Sequence, residues 1–376
     1  MPIYLDCNAT SPIEPKVGEE VIRYLKIEFG NAGSRTHEYG ARANQAVQRA
    51  RDQVAEVVSA SREEVVFTSG ATESNNLVVL GLAEFGEKTG HKHIVSTAIE
   101  HKAVLEPLEA LSKRGFEVTL LPPTSEGWVD PDSVSNALRD DTLLVSIMHA
   151  NNETGVVQPL TEIADGLASH SAYFHVDAAQ GFGKDIKTLQ NPRIDFISVS
   201  GHKIYGPKGI GALITRRRGY KRAPLSPLLF GGGQERGLRP GTLPVPLIVG
   251  LGLAAELALK NHSKREKACR ALRDRALKAL SPLSPLINGE EARTLPHVLN
   301  LSFPGLDSEA VMVALKDLVA VSNGSACTSH SYQPSHVLKA MGLSTERIEG
   351  AIRISWCHMT EEIDWSGVAK IVKSLR

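Results

Sequence analysis

Residues 65–75 read Val65-Val66-Phe67-Thr68-Ser69-Gly70-Ala71-Thr72-Glu73-Ser74-Asn75. The first four have the composition of a buried strand, Ser69-Gly70 forms a tight turn, and Thr72-Glu73 is typical of a helix N-terminus. Similar apolar runs recur at residues 93–97, 143–148, 173–176 and 195–199, with helical patterns between them. Strands that alternate with helices predict an α/β fold around a largely parallel, doubly wound sheet. Ligand-binding and catalytic residues of such a sheet should lie at the carboxyl ends of its strands, which is where Thr68-Ser69-Gly70, Asp177 and Ser200 occur.

The chain of 376 residues is long for one hydrophobic core, so two domains are expected. Apolar residues spaced by three and four predict an amphipathic helix between residues 43 and 58. Residues 243–259 are strongly apolar, but their two prolines, Glu256 and the short length favour a buried helix over a membrane span. A charged helical segment follows at 260–275. We therefore predict a large domain at residues 15–258 and a smaller α+β domain made of residues 1–14 and 259–376.

The charge composition argues against a general affinity for nucleic acids or membranes. Lysine plus arginine and aspartate plus glutamate both number 42, so no global field attracts a polyanion. The basic run Arg216-Arg217-Arg218-Gly219-Tyr220-Lys221-Arg222 is expected to be a solvated surface loop rather than a phosphate-binding patch. The four cysteines, Cys7, Cys269, Cys327 and Cys357, have neither metal-ligand spacing nor a disulfide pattern, and the first residues form no signal sequence. We expect a cytoplasmic protein with reduced thiols and no membrane segment.

Lys203 is the most informative single residue. It lies between glycines in Ser200-Gly201-His202-Lys203-Ile204-Tyr205-Gly206, directly after a predicted strand, and Asp177 ends an earlier apolar run. A lysine amine that can form a Schiff base, with a carboxylate able to pair with a pyridinium nitrogen, is the minimum equipment for pyridoxal 5′-phosphate (PLP) chemistry. A surface lysine and an ordinary strand-end carboxylate are the structural alternatives.

Three further positions could complete such a site. The helix start at Ala71-Thr72 offers free N–H groups and a hydroxyl to a phosphate, although Thr72 and Glu73 could equally serve only to cap the helix. Gln180 could donate a hydrogen bond to the phenolic oxygen of the cofactor. His101 could lie on the ring and exchange protons with the substrate, whereas a histidine taken alone is more often a surface residue.

Arg353 and Cys327 point to the substrate. Arg353 lies in the apolar run Ala351-Ile352-Arg353-Ile354-Ser355, where burial requires an anionic partner: either a substrate carboxylate or an internal salt bridge. Cys327 lies in Ser322-Asn323-Gly324-Ser325-Ala326-Cys327-Thr328-Ser329, and its small polar neighbours predict an exposed loop suited to a thiolate nucleophile. Cys269, in a helical run, is expected to be a small buried hydrophobic residue. A PLP lysine with a loop cysteine indicates chemistry that moves sulfur.

With these motifs the whole chain resembles the cysteine desulfurases, in the class V aminotransferase family of fold type I PLP enzymes. The matching stretches are Tyr4-Leu5-Asp6, Gly30-Asn31, residues 68–76, Glu100-His101-Lys102-Ala103-Val104, Asn151-Asn152-Glu153-Thr154-Gly155, residues 176–180, Ser200-Gly201-His202-Lys203, residues 231–236, Gly241-Thr242-Leu243-Pro244 and Gly324-Ser325-Ala326-Cys327. The short cysteine loop is similar to that of the bacterial and mitochondrial housekeeping type.

The resemblance implies a role for each site residue. Lys203 would hold PLP, Asp177 would pair with the pyridine nitrogen, and His101 would stack on the ring. Ring and phosphate would be held by Gln180, Asn152, Ala71, Thr72, Ser200 and His202. Thr242 would reach the phosphate of the neighbouring subunit, which makes a homodimer part of the site. Arg353 and Asn152 would bind L-cysteine, and Cys327 would take its sulfur as a persulfide and pass it to an acceptor protein; no metal is implied.

The acceptor and several alternatives stay open. Iron–sulfur cluster assembly, tRNA thiolation and DNA phosphorothioation all draw sulfur from enzymes of this type. A selenocysteine or cysteine lyase would share the PLP residues but need Cys327 less, an aminotransferase would leave the cysteine loop unexplained, and a non-enzymatic scaffold would carry no cofactor. The chain departs from the usual family pattern at Cys7-Asn8, Pro240 and Cys357-His358. Cys7 is expected to pack in the interior rather than to trap a persulfide.

Overall fold

The computed structural model describes residues 1–324 and 334–376. Its strands are β1 (Ile3–Tyr4), β2 (Val65–Thr68), β3 (His93–Thr97), β4 (Glu117–Leu121), β5 (Thr142–Met148), β6 (Tyr173–Asp177), β7 (Phe196–Ser200), β8 (Gly211–Thr215), β9 (Leu286–Ile287), β10 (Val298–Ser302), β11 (Val319–Ala320) and β12 (Ala351–Ser355). The α-helices are α1 (Pro15–Lys26), α2 (Glu38–Val57), α3 (Ala71–Gly81), α4 (Ala83–Thr89), α5 (Lys102–Ser112), α6 (Pro131–Asn136), α7 (Leu160–Gly166), α8 (Ile186–Leu189), α9 (Val245–Lys260), α10 (His262–Leu280), α11 (Ser308–Leu315), α12 (His336–Ala340), α13 (Thr345–Glu349) and α14 (Trp365–Lys373).

A seven-stranded sheet forms the centre of the molecule, in the order β2-β8-β7-β6-β5-β3-β4. Its strands run parallel except β8, which is antiparallel to both of its neighbours. Strands β2, β3, β5 and β7 are buried along their whole length, as expected of strands covered by helices on both faces. The predicted α/β fold with a largely parallel sheet is confirmed.

Helices α2 and α9 cover one part of this sheet and pack against each other. The apolar residues of α2 between Ala43 and Val57 are buried at spacings of three and four, as the sequence predicts. Gly252 of α9 allows close approach, since a Cβ added there would lie 2.7 Å from the Cα of Ala50. The predicted buried helix at residues 243–259 is therefore confirmed. Within the described ranges, every helix is too short or too polar to cross a bilayer.

A second hydrophobic cluster lies in the remainder of the chain. It joins Leu5 to buried residues between Cys269 and Val372, around the antiparallel sheet β12-β10-β9. Strand β1 pairs in parallel with β11, which attaches the N-terminus to this C-terminal part. Helix α9 ends at Lys260, two residues beyond the boundary placed at residue 258. The division into residues 15–258 and 1–14 with 259–376 stays a prediction.

The basic run at residues 216–222 is not simply a solvated loop. Arg216 is buried and donates a hydrogen bond to the carbonyl of Leu189 at 2.9 Å. Arg218 donates to the carboxylate of Asp195 at 2.7 Å, and its guanidinium lies 4.6 Å from the ring centroid of Tyr173. The sequence prediction is wrong for Arg216, which is buried because backbone carbonyls distant in sequence satisfy its guanidinium. It holds for Arg218 in that the side chain is exposed, although its guanidinium is paired with Asp195.

A buried ion pair fixes the segment that leads to Thr242. Arg51 donates to Glu235 at 2.8 Å, and the same carboxylate accepts the backbone N–H of Phe67 at 2.7 Å. Glu235 and Arg236 have φ angles of 49° and 59°, in the left-handed region that costs energy for residues other than glycine. The ion pair holds this strained segment against β2.

We expect Arg51→Met to lower the free energy of unfolding by about 3–5 kcal/mol, because it leaves the Glu235 carboxylate buried without its partner. Urea unfolding followed by circular dichroism measures the change. The matched control is Arg62→Met, since the side chains of Arg62 and its partner Asp52 are 46% and 47% exposed; that change should cost less than about 1 kcal/mol. Equal losses in both variants would contradict the importance of the buried pair.

Candidate active site

A cavity of about 650 Å³ opens at the carboxyl edge of the central sheet. Ten of the predicted site residues line it: Ala71, Thr72, His101, Asn152, Asp177, Gln180, Ser200, His202, Lys203 and Arg353. Most of them follow directly after β2, β3, β5, β6 or β7. Parallel strands end at the same edge, so residues far apart in sequence meet there.

Two predicted residues are not placed in this cavity. Thr242 is exposed and, within the described part of the chain, is not among the residues that line it. Its expected position in the site of a neighbouring subunit stays a prediction. Cys327 lies outside the described residues. Described residues on both sides of it lie near Glu153, the chain neighbour of Asn152: the Ser335 hydroxyl donates to the Glu153 carboxylate at 2.5 Å, and a Cβ added at Gly324 would lie 3.2 Å from the same carboxylate.

Asp177 ends β6 and is held by two hydrogen bonds. Its Oδ2 accepts from the Asn75 side chain at 2.7 Å, and its Oδ1 accepts from the backbone N–H of Ala179 at 3.0 Å. Asn75 belongs to α3 and lines the cavity, but the sequence interpretation gave it no role. The sequence could have indicated a role for Asn75, because it follows the predicted site residue Thr72 by three positions and so lies on the same face of the helix.

Lys203 follows β7 in a short 3₁₀ helix, Gly201–Lys203. Its amine donates to the backbone carbonyl of Ala9 at 2.7 Å and to that of Asn8. The Asn8 carbonyl also accepts from the Gln180 amide at 3.0 Å. Residues 8 and 9 thus form a wall of the cavity. Sequence reasoning missed this, since backbone carbonyls act through position and leave no signature in residue type.

The two histidines of the cavity are held as neutral rings. His101 caps α5, and its Nδ1 accepts the backbone N–H of Ala103 at 3.1 Å. Burial lowers the pKa of His101, an effect that the Asp177 carboxylate opposes. Burial, with the charge of Lys203 as a second cause, lowers the pKa of His202 to about 4. A neutral imidazole can both accept and donate a proton at neutral pH.

Arg353 lies on β12 and its side chain is 1% exposed. It forms an ion pair with Asp6 at 2.7 Å and donates to the Asn152 carbonyl at 3.0 Å. The sequence left two anionic partners open for Arg353, a substrate carboxylate or an internal salt bridge, and the internal salt bridge is formed. The residue also lines the cavity, so its guanidinium is placed to meet a substrate anion as well.

The start of α3 forms an anion-binding cup beside these residues. Gly70 has φ 155° and ψ −179°, a conformation essentially restricted to glycine, and it turns the chain from β2 into α3. The first N–H groups of a helix have no partner within the helix, so Ala71 and Thr72 can offer theirs to an anion. Glu73 instead serves the fold, accepting from the Ser69 N–H at 2.7 Å and pairing with Arg239 at 2.9 Å.

Several buried polar side-chain atoms of the cavity make no hydrogen bond within the described part of the chain. Within the described ranges, the side-chain oxygens of Asn75, Asn152 and Gln180 and the Nε of Arg353 have no hydrogen-bond partner. Buried polar groups are normally paired, so these atoms indicate a polar ligand. The described residues contain no cluster of three or more His, Cys, Asp or Glu side chains that could hold a metal ion.

Comparisons with known proteins agree with this geometry. The family model described as aminotransferase class-V matches residues 3–365. The cysteine desulfurase IscS of Vibrio vulnificus (strain YJ016) is 47% identical over 371 residues, covering 97% of this chain and 91% of the relative. Among solved structures, DndA from Streptomyces lividans is 53% identical with a TM-score of 0.83, over 93% of this chain and 98% of that one. SspA in complex with cysteine is 37% identical with a TM-score of 0.83, over 96% and 100% of the two chains.

Proposed function

The chain belongs to the aminotransferase class-V family, and we propose that it is a cysteine desulfurase, which converts L-cysteine to L-alanine and takes the sulfur onto Cys327. The names of its relatives, at 47% identity over nearly the full length, support this activity. The observation that carries the proposal is the meeting of Lys203, Asp177 and Arg353 in one cavity.

The proposed cofactor is PLP, and the residues of the cavity fit it. Lys203 would be its covalent anchor, Asp177 would pair with the ring nitrogen, and Gln180 and Asn152 would supply polar side chains around the ring. Thr72, Ser200 and His202 would hold the phosphate together with the N–H groups at the start of α3. The polar atoms of the cavity that lack partners support a ligand of this kind. When bound, PLP draws electron density from the bonds at the substrate Cα, which makes them reactive.

Lys203 and His101 move the protons of the reaction. Lys203 removes the proton from the substrate Cα once its amine is released, and the Asn8 and Ala9 carbonyls that it contacts keep that amine near the substrate. His101 is neutral because of its burial, so it can take a proton from the substrate thiol and return it later. Asn75 keeps the Asp177 carboxylate oriented toward the cavity.

Cys327 is the acceptor of sulfur. Its thiolate attacks the substrate sulfur, the bond between that sulfur and the substrate Cβ breaks, and Cys327 becomes a persulfide. The net reaction converts L-cysteine and the Cys327 thiol to L-alanine and the Cys327 persulfide. An acceptor protein then removes the outer sulfur for iron–sulfur cluster assembly, tRNA thiolation or DNA phosphorothioation.

Arg353 binds the carboxylate of L-cysteine in this proposal, beside its ion pair with Asp6. Arg353→Lys should raise KM for L-cysteine by roughly 30-fold, because one charge-assisted hydrogen bond of about 2 kcal/mol is lost, while kcat changes little. Steady-state alanine production measures both constants.

The matched control for Arg353→Lys is Asp6→Asn, which removes only the charge of the carboxylate that pairs with the guanidinium. It should lower stability and leave KM near the wild-type value. If Arg353→Lys loses stability like Asp6→Asn and keeps its KM, Arg353 serves the internal salt bridge alone.

A homodimer in the cytoplasm completes the proposal. Thr242 is exposed, and so are the large apolar side chains of Leu229 and Phe230 in the segment that precedes it in sequence. A second copy of the chain that covers this region would place Thr242 of the first copy beside the anion-binding cup at the start of the second copy's α3. The described cysteines are free thiols, which supports a reducing compartment.

The test of the proposed function uses the PLP-loaded protein with L-cysteine and a thiol reductant. We expect alanine and sulfide in equal amounts, with no need for an α-keto acid. Production of alanine only when an α-keto acid is supplied would indicate an aminotransferase. Absence of turnover despite a bound cofactor would overturn the desulfurase assignment.

A further inference from the structure

Two cysteines outside the proposed reaction, Cys7 and Cys357, lie in contact with each other. They form a small buried cluster with Tyr205 and Met359, and both are free thiols, 3% and 1% exposed. Backbone pairing brings them together, because Asp6 bridges to Ser355 and the N–H of Cys7 donates to the Ser355 carbonyl at 3.1 Å. The contact therefore follows from the attachment of the N-terminus to β12.

The surroundings give the two thiols different characters. A hydrogen bond between the two thiols lowers the pKa of Cys357 and raises that of Cys7, and burial works against the thiolate of both. The Thr360 hydroxyl also donates to the Cys357 sulfur at 3.7 Å, and the charge of Lys184 favours a thiolate there as well. Cys357 is thus the nucleophilic member of the pair and Cys7 the neighbouring thiol.

The buried pair borders a cavity that lies next to the active site. Both cysteines line a cavity of about 590 Å³, which shares Thr10 and Lys208 with the active-site cavity. Cys7 directly precedes Asn8, whose carbonyl accepts from the Lys203 amine. A change at Cys7 is therefore one residue away from a group that positions Lys203.

We propose that Cys7 and Cys357 are a site of reversible disulfide formation, which responds to hydrogen peroxide and lowers the activity by displacing the Asn8 wall of the active site. The Cys357 thiolate attacks one peroxide oxygen, the O–O bond breaks, and a sulfenic acid and hydroxide form. The Cys7 thiol then attacks the sulfenic sulfur, the S–O bond breaks, and the hydroxide departs as water after taking up a proton. In sum, two thiols and one peroxide give one disulfide and two waters. This site lies outside the proposed sulfur transfer and does not depend on it.

The test begins with the folded Cys327→Ser protein, which retains three thiols: Cys7, Cys269 and Cys357. Treatment with hydrogen peroxide should remove two of the three from alkylation, and peptide mapping should find residues 7 and 357 linked. Dithiothreitol should restore both thiols. Cys269→Ser is the matched control, because burial raises the pKa of Cys269 to about 12; it should leave the linked peptide unchanged, whereas Cys7→Ser should abolish it. Separate alkylation of both cysteines, or linkage only in denaturant, would overturn the site.

The effect on activity is measured in the protein that retains Cys327. Wild type and Cys7→Ser contain the same catalytic thiol, so a difference in their peroxide sensitivity reports on the pair. Wild type should lose turnover at a lower peroxide dose than Cys7→Ser, and dithiothreitol should restore the turnover lost by the wild type and so remove the difference. Equal dose dependence in the two proteins would overturn the regulatory part of the proposal.

Discussion

Replacing Cys327 with serine should abolish production of alanine and sulfide from L-cysteine, lowering kcat by at least roughly 10³-fold. A serine hydroxyl stays protonated at neutral pH and cannot accept sulfur as a persulfide, so the substrate would bind without transferring its sulfur. The measurement is the yield of both products under a thiol reductant, with persulfide labelling of the protein alongside. Cofactor content and L-cysteine binding should match those of the wild type.

Cys269→Ser controls for the loss of a thiol, because Cys269 is buried within the second hydrophobic cluster, away from the active-site cavity. It should retain wild-type turnover. Equal sulfide release by wild type and Cys327→Ser would move the sulfur chemistry away from Cys327. A lyase that frees sulfur from its substrate directly would then be the better assignment.

Lys203→Ala should lower kcat by at least roughly 10³-fold, because one amine supplies both the covalent anchor and the proton transfer at Cα. Borohydride reduction followed by peptide mapping should find the cofactor attached to the Lys203 peptide of the wild type. In the variant, the cofactor should be lost on dialysis and no lysine should be labelled.

Lys208→Ala is the matched control for that prediction, since Lys208 follows Lys203 by five residues and also lines the cavity. It removes an amine from the same wall and should leave the labelled peptide unchanged. A label on Lys208, or retention of the covalent cofactor in Lys203→Ala, would contradict the role given to Lys203.

The central site could be predicted because its residues follow the ends of recognisable strands. Asp177 ends β6 and Ser200 ends β7, and an apolar run locates each strand in the sequence. Parallel strands bring their carboxyl ends together, so the meeting of Asp177, Lys203 and the start of α3 required no knowledge of long-range contacts. The relatives confirm the desulfurase assignment made from the same motifs.

Prediction failed where a partner distant in sequence determines the environment. Arg216 and Arg218 belong to a basic run, yet Arg216 is buried against backbone carbonyls and the exposed Arg218 is paired with the Asp195 carboxylate. The Asn8 and Ala9 carbonyls contact Lys203 across more than 190 positions of sequence. Neither arrangement leaves a trace in local composition, because the partner atoms belong to the backbone or to another element.

The sequence by itself determined the α/β architecture through its apolar periodicity, and its motifs resemble one family closely enough to indicate that family and to propose which residues carry the chemistry, because periodicity and residue type are local properties. Only the tertiary structure decided that Arg353 is already paired with Asp6, that Asn75 holds Asp177, and that Cys7 meets Cys357. Each of these contacts joins segments that the chain brings together when the N-terminus pairs with β11 and β12 and when α3 packs on the sheet. Their physical origin is the burial of polar groups, which must find partners wherever the fold places them.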